Sequence, residues 1–182
     1  MVSGTVRFKK SFLLVPLLLV ALTIGGVMLV RGGGTEDASP PEAVGFSYDV
    51  AVTYGELSFT GRLIRPAAGQ CVLEVNSPAV LKGMRFTLDE NGASVSYRGL
   101  QLPPESTGLP DTGFFEPFTQ AMDAIVQTEL TAEKHLSGIR YRGSIPIGGF
   151  VLLCDPNGRI LSLELPAYAL TVTMSNQTPL TA

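Results

Sequence analysis

Apolar and polar residues alternate one by one along most of the chain beyond residue 45. In the stretch FSYDVAVTY, residues 46–54, large apolar side chains recur at every second position. The same period returns at residues 57–63, 71–75, 84–88, 95–97, 161–165 and 168–174. Because successive side chains of a β-strand point to opposite faces, this period predicts an antiparallel sheet with one apolar face and one solvated face.

One segment departs from this period. Residues 116–130, EPFTQAMDAIVQTEL, place Phe118, Met122, Ile125 and Val126 on one helical stripe, which predicts an amphipathic helix. The order is then five strands, a Pro-rich loop, one helix and four strands. We expect a mainly β fold with one helix, of the α+β class: a curved antiparallel sheet, or incomplete β-barrel, that the helix covers.

A third kind of segment lies near the N-terminus. Ser11–Val30 contains no charged residue, and a helix of this length spans about 30 Å, the thickness of a bilayer core. Arg7, Lys9 and Lys10 precede it, so the positive-inside rule places the N-terminus in the cytoplasm. An uncleaved signal-anchor is one interpretation, and a signal peptide cut near Gly25-Gly26 is the other. Both export the rest of the chain.

These segments divide the chain into five parts. Residues 31–43 read RGGGTEDASPPEA, a composition typical of a flexible linker. We expect a single-pass protein of a bacterial-type cell membrane, with its β domain outside the cytoplasm. The parts are a basic cytoplasmic segment at 1–10, a transmembrane helix at 11–30, a linker at 31–45, a β domain at 46–176 and a tail at 177–182.

The charge of the exported part argues against a nucleic-acid partner. The chain has 13 basic and 16 acidic residues. Four of the basic residues, Arg7, Lys9, Lys10 and Arg31, flank the apolar segment, so the remainder carries nine against 16, a net charge of 9 − 16 = −7. Such a surface repels phosphates. The expected partners are instead the membrane, lipid or lipoprotein acyl chains, and proteins of the cell envelope.

Residues that carry chemistry are sparse. His135 is the single histidine, and no serine or cysteine nucleophile motif accompanies it. No cluster has the ligand spacing of a zinc or calcium site, and no glycine-rich loop fits a phosphate. We therefore expect no enzymatic activity, no catalytic residues, no metal and no cofactor.

The two cysteines, Cys71 and Cys154, both lie in the exported part. Exported cysteines can form a disulfide, and buried cysteines can equally serve as small hydrophobic core residues. Their separation along the chain does not decide between these alternatives.

Several stretches of the sequence resemble those of a known protein family. The stretch FTGRLIRPAAGQCVLEVNSP, residues 59–78, is similar to the early hairpin of LolA/LolB-like lipoprotein carriers. GMRFTLDENGASVSYRGLQL resembles the next hairpin of that family, and DPNGRILSLELPAYALTVTMSN resembles its closing strands. The resemblance covers most of residues 46–176. The chain departs from the family in having no tryptophan and in carrying a predicted membrane helix.

The resemblance implies an incomplete barrel with a helical lid over a hydrophobic cavity for acyl chains. It also implies that the arginine of the Arg-Pro corner, here Arg65, contacts the lid. We expect the cavity to be lined from the sheet by Leu73, Val75, Met84, Phe86, Tyr97 and Leu163, and from the helix by Phe118, Met122 and Ile125.

Two functions fit these residues. One is a membrane-tethered, non-catalytic module that holds lipid or lipoprotein acyl chains between the sheet and the helix. The other is a structural or interaction module of the envelope with a filled core, which binds through a sheet edge or the 101–115 loop. The two differ in whether the interior is hollow.

Overall fold

Eleven β-strands and one α-helix make up the part of the chain that the structure, a computed structural model, describes: residues 41–102 and 113–181. A short 3-10 turn, Pro166–Tyr168, precedes the last strand. The strands and the helix are β1 (Phe46–Tyr54), β2 (Leu57–Arg65), β3 (Cys71–Ser77), β4 (Met84–Asp89), β5 (Gly92–Tyr97), β6 (Leu100–Leu102), α1 (Phe115–Gln127), β7 (Thr131–His135), β8 (Gly138–Ile145), β9 (Gly148–Cys154), β10 (Ile160–Leu165) and β11 (Leu170–Pro179).

All eleven strands of these residues belong to one antiparallel sheet, in the order β6-β5-β4-β3-β2-β1-β11-β10-β9-β8-β7. The sheet consists of two meanders, β1–β6 and β7–β11. They join where β1 pairs with β11, from Phe46 opposite Pro179 to Tyr54 opposite Leu170. β6 and β7 are the two edges of the sheet, which is therefore open and not closed into a barrel. The fold is mainly β, with one helix.

Aspartates shape two of the hairpin loops that the sequence predicts. Between β4 and β5, the Asp89 carboxylate accepts a hydrogen bond from the backbone N–H of Asn91 at 2.8 Å. Between β9 and β10, the Asp155 carboxylate accepts from the N–H groups of Asn157 and Arg159, at 2.8 and 2.9 Å. These side chains replace the hydrogen bonds that the backbone loses where each strand reverses.

Burial follows the alternation that the sequence predicts. On β1 the buried apolar side chains are Tyr48, Val50 and Val52, separated by exposed residues. Comparable inward residues lie on both meanders, among them Phe59, Leu63, Leu73, Val75, Phe86, Val95, Phe150, Leu152, Leu163, Leu165, Leu170, Val172 and Met174. One face of the sheet therefore forms the core.

The alternation of buried and exposed residues is interrupted at the start of β10. The alternation predicts that Leu161 points inward, but the register shifts between Ile160 and Ser162. Ile160 is buried instead, and Leu161 is partly exposed. The extra residue, a β-bulge, breaks the alternation, so that Ile160 faces the core together with Leu163 and Leu165, which strict alternation cannot anticipate.

The helix α1 covers the apolar face. It begins one residue earlier and ends three residues earlier than predicted. At its end the N–H of Thr128 donates to the Ala124 carbonyl, after which Thr128 adopts an extended conformation. Phe115, Phe118, Met122 and Ile125 are buried. Val126, which the stripe includes, is 49% exposed.

The sequence misses the two edge strands, β6 and β7. β6 has three residues, and β7 reads TAEKH, with Glu133 and Lys134 in it. Edge strands have no partner on one side, and short or charged edges oppose pairing with other chains. Such strands lack the apolar alternation that identifies the inner ones.

Residues 41–45, assigned to the end of the linker, contact the sheet. The N–H of Glu42 donates to the Gly158 carbonyl at 2.9 Å, and that of Gly45 donates to the Arg65 carbonyl at 2.7 Å. Ala43 is buried. At the other end, β11 continues to Pro179, and the N–H of Leu180 donates to the Gly45 carbonyl at 2.8 Å.

Within residues 41–102 and 113–181, no helix combines the length and hydropathy needed to cross a bilayer. The predicted anchor at residues 11–30 lies outside the described residues, as does the linker up to residue 40.

Candidate functional site

The candidate site is the interface between α1 and the central strands of the sheet. Apolar side chains from β1, β2, β3, β11 and the start of the helical segment surround a narrow gap there. The space between their atoms amounts to about 180 Å³, and none of it is wide enough for a water molecule. The lining residues are Val50, Val52, Leu63, Leu73, Phe114, Phe118 and Val172. This part of the interior is filled.

The structure places most of the predicted cavity residues in this core. Leu73 and Phe118 line the gap itself. Met84 and Tyr97 lie opposite each other on β4 and β5 and are only partly buried. The remaining predicted residues are buried elsewhere in the same core: Val75, Phe86, Met122, Ile125 and Leu163.

Sequence reasoning missed five lining residues: Val50, Val52, Leu63, Phe114 and Val172. Four of them lie on β1, β2 and β11, which are adjacent in the middle of the sheet. Their alternation identifies them as inward-facing. What the sequence does not contain is the pairing of the first strand with the last one, which brings them beneath the helix.

Phe114, directly before α1, packs among aromatic rings of the sheet. Its ring centroid lies 5.7 Å from Tyr54, 5.6 Å from Phe59 and 5.2 Å from Phe86. The ring centroid of Phe115 lies 5.4 Å from that of Phe86. Aromatic pairs at such distances contribute beyond the area that they bury. This cluster fixes the N-terminal end of α1 on the sheet.

An ion pair fixes the C-terminal half of α1. Arg65 is the last residue of β2, and its side chain is 0% exposed. Its Nη2 donates to Oδ1 of Asp123 on the helix at 2.6 Å. The same oxygen accepts a hydrogen bond from the backbone N–H of Gly69, in the β2–β3 loop, at 3.1 Å. Arg65 therefore contacts the helix that covers the sheet.

Arg65 is also held from its own side of the interface. Its Nε donates to the Ala43 carbonyl at 3.0 Å. Its Nη1 is buried and has no hydrogen-bond partner among the described residues. The guanidinium, which also interacts with the Cys71 side chain, thus has one nitrogen, Nη1, whose N–H groups have no acceptor in the described part of the chain.

The neighbouring titratable groups are held neutral. Burial raises the pKa of Cys71 to about 12, and the nearby Arg65 guanidinium opposes part of this rise. Burial, with a smaller contribution from Asp155, raises the pKa of Cys154 to about 12. Burial also raises the pKa of Tyr48, whose hydroxyl donates to the Glu42 carbonyl.

Both cysteines are free and buried, Cys71 on β3 and Cys154 on β9. His135 lies at the β7–β8 turn, with Nδ1 2.9 Å from the Ser137 hydroxyl. Within residues 41–102 and 113–181, no three His, Cys, Asp or Glu side chains are grouped so as to hold a metal ion.

The described residues thus define a class of architecture: an open antiparallel sheet with one apolar face under a single helix. No family model and no curated protein matches the chain. Solved structures similar to it include an uncharacterized conserved protein from Thermus thermophilus, at 12% identity and a TM-score of 0.45, covering 78% of this chain and 82% of that one.

Two other similar structures carry family names. One is a LolA superfamily protein from Nitrosomonas europaea, at 10% identity and a TM-score of 0.36, covering 81% of this chain and 90% of that one. The other is a DUF1329 family protein from Desulfovibrio piger, at 10% identity and a TM-score of 0.40, covering 76% and 87%. The Nitrosomonas europaea protein carries the name of the family that the sequence resembles. At these TM-scores the likeness says nothing about a ligand.

Proposed function

We propose that this chain is a membrane-tethered module that binds lipid or lipoprotein acyl chains between the sheet and α1, outside the cytoplasm. One observation carries the proposal. The apolar face of the central strands is covered by a single 13-residue helix, which an aromatic cluster fixes at one end and the Arg65–Asp123 pair at the other. The proposal requires this helix to separate from the sheet as a unit when a ligand enters.

On a common water-to-apolar scale, the two burial terms of this exchange are of the same order. Withdrawing the four large buried side chains of α1 from their apolar contacts costs about 6–12 kcal/mol, at about 1.5–3 kcal/mol each. An acyl chain with about 14 methylenes that takes their place contributes about 11 kcal/mol, at about 0.8 kcal/mol per methylene. The filled gap is consistent with this exchange, because the helix side chains occupy the apolar space until a ligand displaces them.

The same filled gap favours a second candidate. A core with no space for water needs no ligand to complete it, so the domain could act as a structural or interaction module of the envelope. Its binding surface would then be a sheet edge or the 101–115 loop, of which residues 103–112 lie outside the described part.

Photo-crosslinking separates the two candidates. The full chain, in isolated membranes, is exposed to a diazirine derivative of palmitic acid, irradiated and digested, and the labelled peptides are mapped. Because a membrane helix is labelled in any case, the informative peptides are those of α1 and the inner strands. A four-carbon diazirine acid controls for labelling that does not depend on an acyl chain.

Labels on inward-facing residues of β1, β2, β11 or α1, absent with the short acid, support the acyl-chain proposal. Labelling confined to residues 11–30 and to outward-facing positions of the sheet would contradict it and favour the structural module.

A further inference from the structure

The Asp123 carboxylate lies in a cradle of hydrogen-bond donors that belong to another part of the molecule. Arg65 Nη2 and the Gly69 N–H, at 2.6 and 3.1 Å from Oδ1, come from the end of β2 and the loop after it. The carboxylate comes from α1. The anion is therefore on the element that the proposed function requires to move, and its donors are on the sheet.

The cradle does not depend on Asp123 for its shape. Arg65 Nε is bonded to the Ala43 carbonyl at 3.0 Å, and the side chain is fully buried. Gly69 is part of the backbone between two paired strands. If the helix leaves, the hydrogen bond from Nε to the Ala43 carbonyl would hold the guanidinium, with Nη2 free beside Nη1, which has no partner among the described residues in the closed state. A planar fork of two donors fits a carboxylate or a phosphate.

The cradle also lies beside the acyl-chain gap. Leu63 lines the gap, and Arg65 follows it two residues later on the same face of β2. Two residues of a strand span about 7 Å. An acyl chain in the gap would thus bring a polar group at its end close to the guanidinium.

We infer that Arg65 and the Gly69 N–H form a binding site for the anionic head group of an amphiphile, a carboxylate or a phosphate, and that Asp123 occupies this site when no ligand is bound. The inference rests on the proposed function and specifies its ligand class. Ligand entry is then an exchange of one anion for another.

The exchange has a selective consequence. A buried guanidinium that loses its anion without replacement is strongly destabilised. An anionic amphiphile replaces the Asp123 carboxylate, whereas a neutral amphiphile of equal length leaves Arg65 unpaired. We expect the wild-type chain to prefer the anionic member of a matched pair by about tenfold, as for one charge-assisted hydrogen bond.

The test compares palmitate with 1-hexadecanol as competitors of the diazirine probe on the full chain in non-ionic amphipols, at a pH where the fatty acid is ionised. Crosslinking to α1 and the inner strands is the readout. Asp123→Asn removes the internal anion that either ligand must displace, so it should raise the affinities for palmitate and hexadecanol several-fold by about the same factor and keep the preference for palmitate. Arg65→Gln should bring the ratio to about one.

Glu133→Gln is the matched control. It neutralises the carboxylate of the Arg142–Glu133 pair, whose N–O distance is 3.4 Å and whose side chains are 53% and 52% exposed. It should leave the ratio unchanged. If Arg65→Gln fails to fold, Asp123→Asn and the control still decide the question, because Asp123 is on the surface side of the pair, with 21% exposure.

The outcomes separate the two claims. Equal competition by palmitate and hexadecanol, unaltered in Asp123→Asn, would overturn the anion site and leave acyl-chain binding intact. The absence of crosslinking in every variant would overturn both. Competition by inorganic phosphate against palmitate, but not against hexadecanol, would support the site and identify a free anion as able to occupy it.

Discussion

Arg65 carries a full charge at a position without solvent exposure, and it pairs with Asp123 across the interface between sheet and helix. Ion pairs of this kind seldom add net stability, because desolvation offsets most of the attraction between the charges. Losing either partner is nevertheless costly, because the other charge is left unpaired at the interface. The sequence indicates Arg65 through its Arg-Pro corner. It does not indicate Asp123, 58 residues away, because only the folded sheet brings the two together.

Gly61 is required by the close approach of β2 and β3. A Cβ at this position would lie 2.3 Å from the Glu74 carbonyl oxygen, a backbone atom that cannot rotate away. We expect Gly61→Ala to lower the free energy of unfolding by about 2–3 kcal/mol, measured by urea denaturation. Gly149→Ala is the control, since its Cβ would meet nothing closer than the Gly143 oxygen at 3.7 Å. Equal stability of the two variants would contradict this account.

Cys71 predicts a loss of stability at alkaline pH. Its pKa is raised from 9.0 to about 12 in the folded chain, so folding favours the neutral thiol. Below a pH of about 9, the Cys71 thiol is protonated in both the folded and the unfolded chain, so its contribution to stability is fully present. As the pH rises from about 9 to 12, the unfolded thiol ionises first and stability falls.

Urea denaturation across this pH range tests the prediction. Cys71→Ala should show a shallower alkaline decline than the wild type, with Cys154 and Tyr48 accounting for what remains. The same slope in both chains would show that Cys71 does not contribute.

At the scale of elements, α1 depends on two attachments, the Phe114 cluster and the Asp123 cradle. Asp123→Asn removes the charge that pairs with Arg65 and should destabilise the chain by about 2–3 kcal/mol. It should also accelerate amide hydrogen exchange in α1 by at least about tenfold, while the amides of β1 and β11 change less. Glu133→Gln should leave exchange in α1 unaltered. Uniform acceleration across the sheet would mean that the helix does not open separately.

The elements that the sequence identifies are those in which apolar residues recur at a regular spacing. The inner strands alternate because one side of each is buried, and α1 shows its stripe because it lies on a sheet. β6 and β7 carry no such signal, since an edge strand can be short or polar and still pair with its neighbour. The bulge at Ile160 shifts the alternation by a single residue, and Val126 is exposed although the helical stripe includes it. Both depend on packing partners distant in the chain.

At the scale of the whole molecule, the general plan of one sheet and one covering helix can be predicted from the sequence. Which strands form the centre of the sheet cannot. Val50 and Val172 meet beneath the helix only because β1 pairs with β11, a contact between the two ends of the described chain. Local patterns do not encode such long-range pairing. The sequence therefore predicts an interface between sheet and helix, but it does not identify most of the residues that line the gap there.

The predicted tether belongs to this scale. Residues 11–30 should keep the full chain in the membrane pellet after alkaline carbonate extraction, because a spanning helix resists it. In spheroplasts, external protease should degrade the β domain while a tag before Met1 survives. Replacing Leu17 and Leu18 with lysines should release the chain or prevent its export. Recovery of an intact wild-type chain in the soluble fraction would contradict the tether, and a shortened one would indicate cleavage near Gly25-Gly26.

The seam between β1 and β11 has a mechanical consequence. Phe46 and Pro179 are paired at the same end of the seam, next to the hydrogen bond between Gly45 and Leu180. A pulling force applied between residues 45 and 180 would therefore load the hydrogen bonds of this pair one after another, as in opening a zipper, rather than all at once in shear. The two meanders would part at a low force, and the inner face of each would be exposed before either one unravelled.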